Sequence, residues 1–138
     1  MDCVLDCSLA LAWALPDETS TRADRFLAQV SRESVLWVPA LWWYEIANAL
    51  TTAQRRQRLA EADTLRLVEL YGMLPIQTDG YLNPDVVWRF RALAQEYTLS
   101  AYDAAYLELA QRRRLGLATL DRRLITAARR GGVKVIHP

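Results

Sequence analysis

Five short apolar runs punctuate the chain, over residues 3–6, 35–38, 74–78, 115–120 and 133–136. Each has the length of a strand, and the stretches between them repeat apolar positions at helical spacing. A helix is expected over 9–15, ended by Pro16, and another from about 19 to 30 with Asp17 and Glu18 at its start. Pro39 suits the first turn of a third helix reaching about residue 58. Further helices are expected over 61–73, 84–97, 101–114 and 122–130, the last closed by Gly131-Gly132. Strands alternating with helices form an α/β sandwich on a mostly parallel sheet. Ligand sites of such sheets lie beyond the carboxyl ends of the strands, where strand order reverses. Asp6 closes the first predicted strand and Asp121 follows the fourth. If those strands are neighbours, both carboxylates overhang one crevice.

No repeat, linker or low-complexity segment breaks the pattern, and the chain is expected to form one domain over 1–138. No apolar run approaches the roughly 18 residues of a membrane span, and no signal peptide opens the sequence. A cytoplasmic location is expected.

Candidate chemistry is narrowed by what the sequence lacks. The single histidine is His137, next to the last residue, so a Ser–His triad, paired-histidine chemistry and a His-rich metal site are all disfavoured. Cys3 and Cys7 have no cluster of further ligands and read as reduced interior thiols rather than a zinc site. Hydrolytic chemistry in this chain therefore has to rest on carboxylates. Net charge is only +1, yet 16 of the 17 basic residues are arginines. They cluster at Arg55, Arg56 and Arg58, at Arg112–Arg114, and at Arg122, Arg123, Arg129 and Arg130. Guanidinium suits bidentate phosphate contacts, and equally the solvated ends of helices.

Four carboxylates stand out. Asp6, in "DCS", and Asp121, in "TLDRRL", each taken alone, read first as helix N-caps. Asp103 fits a capping box with Ser100. Helical phase argues for more: Leu107 and Ala110 share the Asp103 side, whereas Glu108 and Arg112 lie opposite, so Asp103 should point inward or along a cleft wall. Glu45 sits in "PALWWYEIANAL", where an unpaired buried carboxylate would cost several kcal/mol. Its helical neighbours Leu41, Asn48, Ala49 and Thr52 make a narrow stripe that suits a cleft wall. Gathered in one pocket, four carboxylates repel one another unless a cation enters. Hard oxygen donors without His or Cys select Mg²⁺ or Mn²⁺.

The segments "VLDCSLALAWALPDE", "PALWWYEIANAL", "LSAYDAAYLELAQRRRLGLATLDRRL" and "GVKVIHP" together resemble PIN-domain nucleases, in particular VapC-type toxins, over nearly the whole chain. The resemblance implies a three-layer α/β fold with a five-stranded parallel sheet of order 3-2-1-4-5. It also implies a metal-dependent endoribonuclease that hydrolyses RNA with metal-activated water. The family's acidic quartet falls on Asp6, Glu45, Asp103 and Asp121, with no departure at any of them. Asp6 and Asp103 would be the principal Mg²⁺ ligands, and Glu45 and Asp121 would complete the site directly or through water. Supporting positions match Ser8, Asn48 and Thr119. A homodimer and a cognate antitoxin are implied as well. Trp13, Trp37, Trp42, Trp43 and Trp88 are candidate anchors for those interfaces, although most are expected in the core.

Rival readings fit less well. A haloacid-dehalogenase-type phosphatase would want an acid two residues after Asp6, where Ser8 stands. A receiver domain would want an acidic pair near the first strand and a phosphoacceptor after the third; Asp79 lies near the latter place, but Lys134 falls in the last predicted strand. The alternative from another class is a non-catalytic interaction module whose carboxylates are caps, which would be indifferent to Mg²⁺.

Overall fold

A computed structural model describes residues 1–14 and 21–136. The expected start of the second helix at Asp17 and Glu18, the Pro16 stop and His137 lie outside the described residues. Five strands, β1 (Asp2–Leu5), β2 (Val35–Pro39), β3 (Ile76–Asp79), β4 (Gly116–Ala118) and β5 (Val135–Ile136), make one sheet in the order β3-β2-β1-β4-β5. Every pairing is parallel. The helices are α1 (Cys7–Leu11), α2 (Thr21–Gln29), α3 (Leu41–Arg55), α4 (Glu61–Met73), α5 (Pro84–Tyr97), α6 (Ala101–Arg113) and α7 (Arg122–Arg130). Cys3, Val4 and Leu5 of β1 are all fully buried. Successive strand residues point to opposite faces, so helices must cover both sides of the central strand and the architecture has three layers.

Where boundaries differ from the periodicity, side-chain chemistry explains the shift. The fourth strand is shorter than the expected 115–120 because Thr119 leaves the ladder, its Oγ1 donating to the Asp6 carboxylate and accepting from the Asp121 amide. Pro39 ends β2 rather than opening the third helix. It pairs with Asp79 at the carboxyl end of β3, and Ala40 is the N-cap instead. The first helix begins at Cys7, earlier than expected, because Asp6 stays extended and turns the chain directly from strand into helix. Gly132 takes φ +76° behind α7, the left-handed conformation the terminal Gly-Gly pair predicts.

Helix α6 is the centre of the packing. Residues from Ala104 to Ala110 are buried without interruption, and the helix touches β1, β2 and β4 while α5 and α7 flank it. Small side chains at Ala104, Ala105 and Ala110 let it approach closely. The side opposite Asp103 does not face water either. Glu108 is only 3% exposed. It accepts from Arg112 Nε at 2.7 Å and from Arg89 at 3.3 Å, while Arg112 and Arg113 also bind Asp79 at the end of β3. The Arg112 guanidinium lies 4.8 Å from the Tyr81 ring centroid, and Arg113 lies over Trp37. Burial pushes the Asp79 carboxyl up, but the hydrogen bonds and charges of Arg112 and Arg113 outweigh it and hold the group below its ordinary value. The arginines at 112 and 113 are thus committed to tying α6 to β3 rather than to phosphate. Periodicity cannot separate such an internally neutralised face from a solvated one.

Of the tryptophans, Trp42 is fully buried and Trp13 and Trp37 pack partly against the core, as expected of most. Trp43 and Trp88 are exposed.

Replacing Arg112 by Met should take one guanidinium from each of two buried carboxylates, leaving Glu108 only Arg89 and Asp79 only Arg113. A stability loss of about 3 kcal/mol is expected, at the low end for a broken buried pair because Arg112 is partly solvated. Urea unfolding at neutral pH checks it.

Candidate active site

The parallel pairing of β1 with β4 positions the first elements of the site. Asp6 follows β1 directly and donates its amide to the Ala118 carbonyl at 3.0 Å, so its side chain stands over the exit of β4. Although it occupies the N-cap position of α1, it makes no side-chain cap bond. Its Oδ2 instead accepts from Ser8 Oγ at 2.6 Å and from Thr119 Oγ1 at 2.7 Å. Ser8 Oγ accepts in turn from the Leu120 amide at 3.1 Å, and Thr119 Oγ1 from the Asp121 amide at 3.0 Å. Two hydroxyls therefore fasten the loop after β4 to the start of α1, with Asp6 between them. Asp121 caps α7, its Oδ1 accepting from the Leu124 amide at 3.0 Å.

Glu45 and Asp103 come from the helices. On α3, Trp42 and Ile46 turn inward, Trp43 and Tyr44 turn outward, and Glu45 lies between, half-buried. Its partner is the buried Tyr106, whose hydroxyl donates to Glu45 Oε1 at 2.6 Å. The Cys7 thiol hydrogen-bonds the same carboxyl. Asn48 sits one turn further along α3, exposed. Asp103 lies in the first turn of α6, where Ser100 Oγ caps its amide at 3.1 Å.

Electrostatics links the four acids. Burial pushes the Asp6 carboxyl up; the Ser8 and Thr119 hydroxyls oppose this, and the charges of Asp121 and Asp103 add to it. Burial also raises Glu45, with Tyr106 opposing and Asp6 and Asp103 adding. For Asp103 burial comes first and the Asp121 charge next, against Ser100 and the Arg123 cation. The structure thus brings Asp6, Glu45, Asp103 and Asp121 to one locality at the carboxyl end of the sheet, where each interacts with at least one of the others. Ser8 and Thr119 join them through Asp6. Among the described residues, no hydrogen bond ties Asn48 to the group.

Sequence reasoning missed Tyr106 and the contact of Cys7 with Glu45. The signal for Tyr106 was present: it stands three residues after Asp103 in "YDAAY", on the same side of α6.

Among the described residues, no group of three or more His, Cys, Asp or Glu side chains forms a ready-made metal cluster. The donor chemistry nevertheless suits a hard divalent ion. All donors are oxygens, three of the carboxyls are raised by burial and mutual repulsion, and neither hydroxyl bond to Asp6 uses Oδ1. Mg²⁺ ordinarily takes one or two carboxylates and fills its remaining positions with water.

A carboxyl raised in the folded state holds its proton more tightly there than in the unfolded chain. Its stabilising contribution is present at acid pH and is lost as pH rises from the ordinary carboxyl range through the raised value. These three carboxyls should therefore make the metal-free protein more stable in mild acid than at pH 7. Asp6→Asn should raise the melting temperature of the EDTA-treated protein at pH 7 by a few degrees and flatten that pH dependence; a lowered midpoint would contradict the repulsion described.

Comparison with known proteins gives the family and agrees with the fold. The PIN domain family matches residues 3–130. Ribonuclease VapC3 of Pyrobaculum aerophilum is 32% identical over 128 residues, which span 90% of this chain and 92% of that protein. Ribonuclease VapC9 of Mycobacterium tuberculosis is 35% identical over 122 residues, 88% of this chain and 87% of its own. A crystal structure of a Pyrobaculum aerophilum protein has a TM-score of 0.68 at 25% identity, over 92% of this chain and 84% of its own. A chain of a toxin–antitoxin complex from Klebsiella pneumoniae shares the fold, with a TM-score of 0.58 at 21% identity over 86% of each. A match over this much of its length, on top of the sheet order and the four acids, makes the chain a member of the PIN-domain family, of the VapC type.

Proposed function

We propose that the protein is an endoribonuclease, the toxin of a toxin–antitoxin pair, whose centre is Asp6, Glu45, Asp103 and Asp121 with Mg²⁺ as the working cation and Mn²⁺ able to substitute. The observation that carries this reading is the mutual electrostatic coupling of four carboxylates at the carboxyl end of β1 and β4, with no cation among the described residues fully neutralising them. By comparison, the buried acids Glu108 and Asp79 are each met by guanidinium groups. A fold that pairs one set of acids and leaves the other in repulsion keeps the second set for something that arrives from outside.

Asp6 and Asp103 are assigned as the principal ligands, with Glu45 and Asp121 completing the site directly or through water. When bound, such a cation supplies Lewis-acid activation of water and offsets charge on the phosphate. The chain's own residues do the rest. Ser8 and Thr119 fix one Asp6 oxygen, and so hold the carboxylate in a single orientation. Tyr106 does the same for Glu45. One carboxylate, Glu45 or Asp121, is assigned to orient the attacking water and accept its proton. The water oxygen forms a bond to phosphorus as the bond to the leaving oxygen breaks, and that oxygen takes up a proton. Asn48, exposed one turn from Glu45, is assigned to contact substrate.

The names of the relatives support the wider role: two are ribonucleases of the VapC type, and a fold neighbour belongs to a toxin–antitoxin complex. We read the whole of 1–138 as one PIN domain, a homodimer neutralised by a cognate antitoxin in the cytoplasm. No helix among the described residues is long and apolar enough to cross a membrane.

Single-stranded RNA incubated with the protein and Mg²⁺ should be cut internally, and EDTA should stop the cutting. Asp103→Asn should lower the rate at least about 100-fold, the lower range for a positioned acid–base or charge-stabilising group. Cutting that survives both EDTA and the substitution would overturn the assignment.

A further inference from the structure

An acidic centre that works on RNA has to hold a polyanion against its own repulsion, so adjacent cations must supply the attraction. The arginines at 112 and 113 are committed to Asp79 and Glu108. Three arginines of α7 are placed differently. Arg122, Arg123 and Arg130 line a trough of about 450 Å³, completed by Thr126 and Ala127 of the same helix and by Tyr97 and Thr98 at the end of α5. Among the described residues, no carboxylate lines it. Positions 122, 123, 126, 127 and 130 form one face of α7, and the Arg130 guanidinium is oriented by the Tyr97 ring, 5.5 Å from its centroid. One end of the trough lies near the acidic centre: Arg122 and Arg123 directly follow Asp121, and the Arg123 charge acts on Asp103.

We propose that this trough binds the sugar–phosphate backbone of single-stranded RNA, seating phosphates next to the one being cut on Arg122, Arg123 and Arg130. The inference rests on the ribonuclease reading above. Proximity to the centre favours RNA over an acidic peptide, because a strand with one phosphate at Asp6 and Asp103 carries its neighbouring phosphates alongside. Guanidinium forks match phosphate oxygens bidentately, and the hydroxyls of Thr98 and Thr126 add neutral donors.

The test uses full-length protein carrying Asp103→Asn, so that RNA stays intact, and reads binding of a labelled single-stranded oligonucleotide by anisotropy across a salt series. Adding Arg122→Ala/Arg130→Ala should weaken binding at least about tenfold and flatten the salt dependence. The slope of log K against log salt should fall by about 1.4, at roughly 0.7 for each phosphate no longer neutralised. Arg122→Lys/Arg130→Lys should retain most of the salt slope, which separates loss of charge from misfolding. Arg55→Ala/Arg56→Ala, an equal charge change at the far end of α3, should alter binding little. Equal losses from both alanine pairs, or none from the trough pair, would overturn the proposal, as would capture of a polyglutamate peptide with RNA ignored. The two readings fail separately. If wild-type protein cleaves RNA with Mg²⁺ while the trough pair of substitutions leaves binding intact, only the trough is refuted. If wild-type protein cleaves nothing with Mg²⁺ or Mn²⁺, the nuclease is refuted while anisotropy still reports on the trough.

Discussion

The parallel pairing of β1 with β4 is the constraint on which everything else depends. Most of the chain separates those strands, yet Cys3, Val4 and Leu5 sit beside Gly116, Leu117 and Ala118. The pairing continues past the last ladder residue, through the Asp6 amide and the Ala118 carbonyl, and hands over to the hydroxyls of Ser8 and Thr119. The backbone ladder and the side-chain clamp are one structure. Without strand adjacency Asp6 and Asp121 would cap two unrelated helices. With it, they face a common space at the switch point, where β1 has β2 on one side and β4 on the other.

Helix α6 sets the second half of the centre and shows how the protein separates two kinds of carboxylate. Glu108, on one side, is buried and satisfied by Arg89 and Arg112, a structural ion pair that locks the helix to its neighbours. Asp103, in the first turn of the same helix, is half-buried among other carboxylates and has only a partly opposing cation, Arg123. The helix also carries Tyr106, which reaches across to α3 and orients Glu45. Rigid anchoring at Glu108 and open repulsion at Asp103 are complementary: the helix has to be held firmly if a cluster of like charges at its start is to keep its geometry.

Much of this is legible in the residues. The alternation of apolar runs with amphipathic stretches is enough to place five strands and the helices, because β1 and β2 are too apolar to be surface strands and the helices carry clear stops. Strand order is not readable from periodicity, since pairing partners far apart in sequence leave no local mark; it comes through the resemblance of the motifs. Strand ends are displaced where a side chain replaces a ladder bond, as at Thr119. Glu108 escapes a sequence reading because a charge paired inside the fold has the same helical phase as one facing water. The puzzle of Glu45 among aromatics has a structural answer in two parts. Trp43 and Tyr44 turn away from it, and a tyrosine hydroxyl and a thiol meet it, without removing the repulsion from Asp6 and Asp103. The arginine clusters look alike in sequence and separate only by partner. Arg112 and Arg113 hold the fold together, whereas Arg122, Arg123 and Arg130 line an open trough.

The central claim is that the mutual repulsion at Asp6, Glu45, Asp103 and Asp121 is relieved by a divalent cation. Calorimetric titration of Mn²⁺ into the wild-type protein and into Asp6→Asn/Asp103→Asn, each verified as folded, tests it most directly. Saturable binding to the wild type that vanishes in the double variant is the predicted result. Equal binding by both would place the ion elsewhere and contradict the claim.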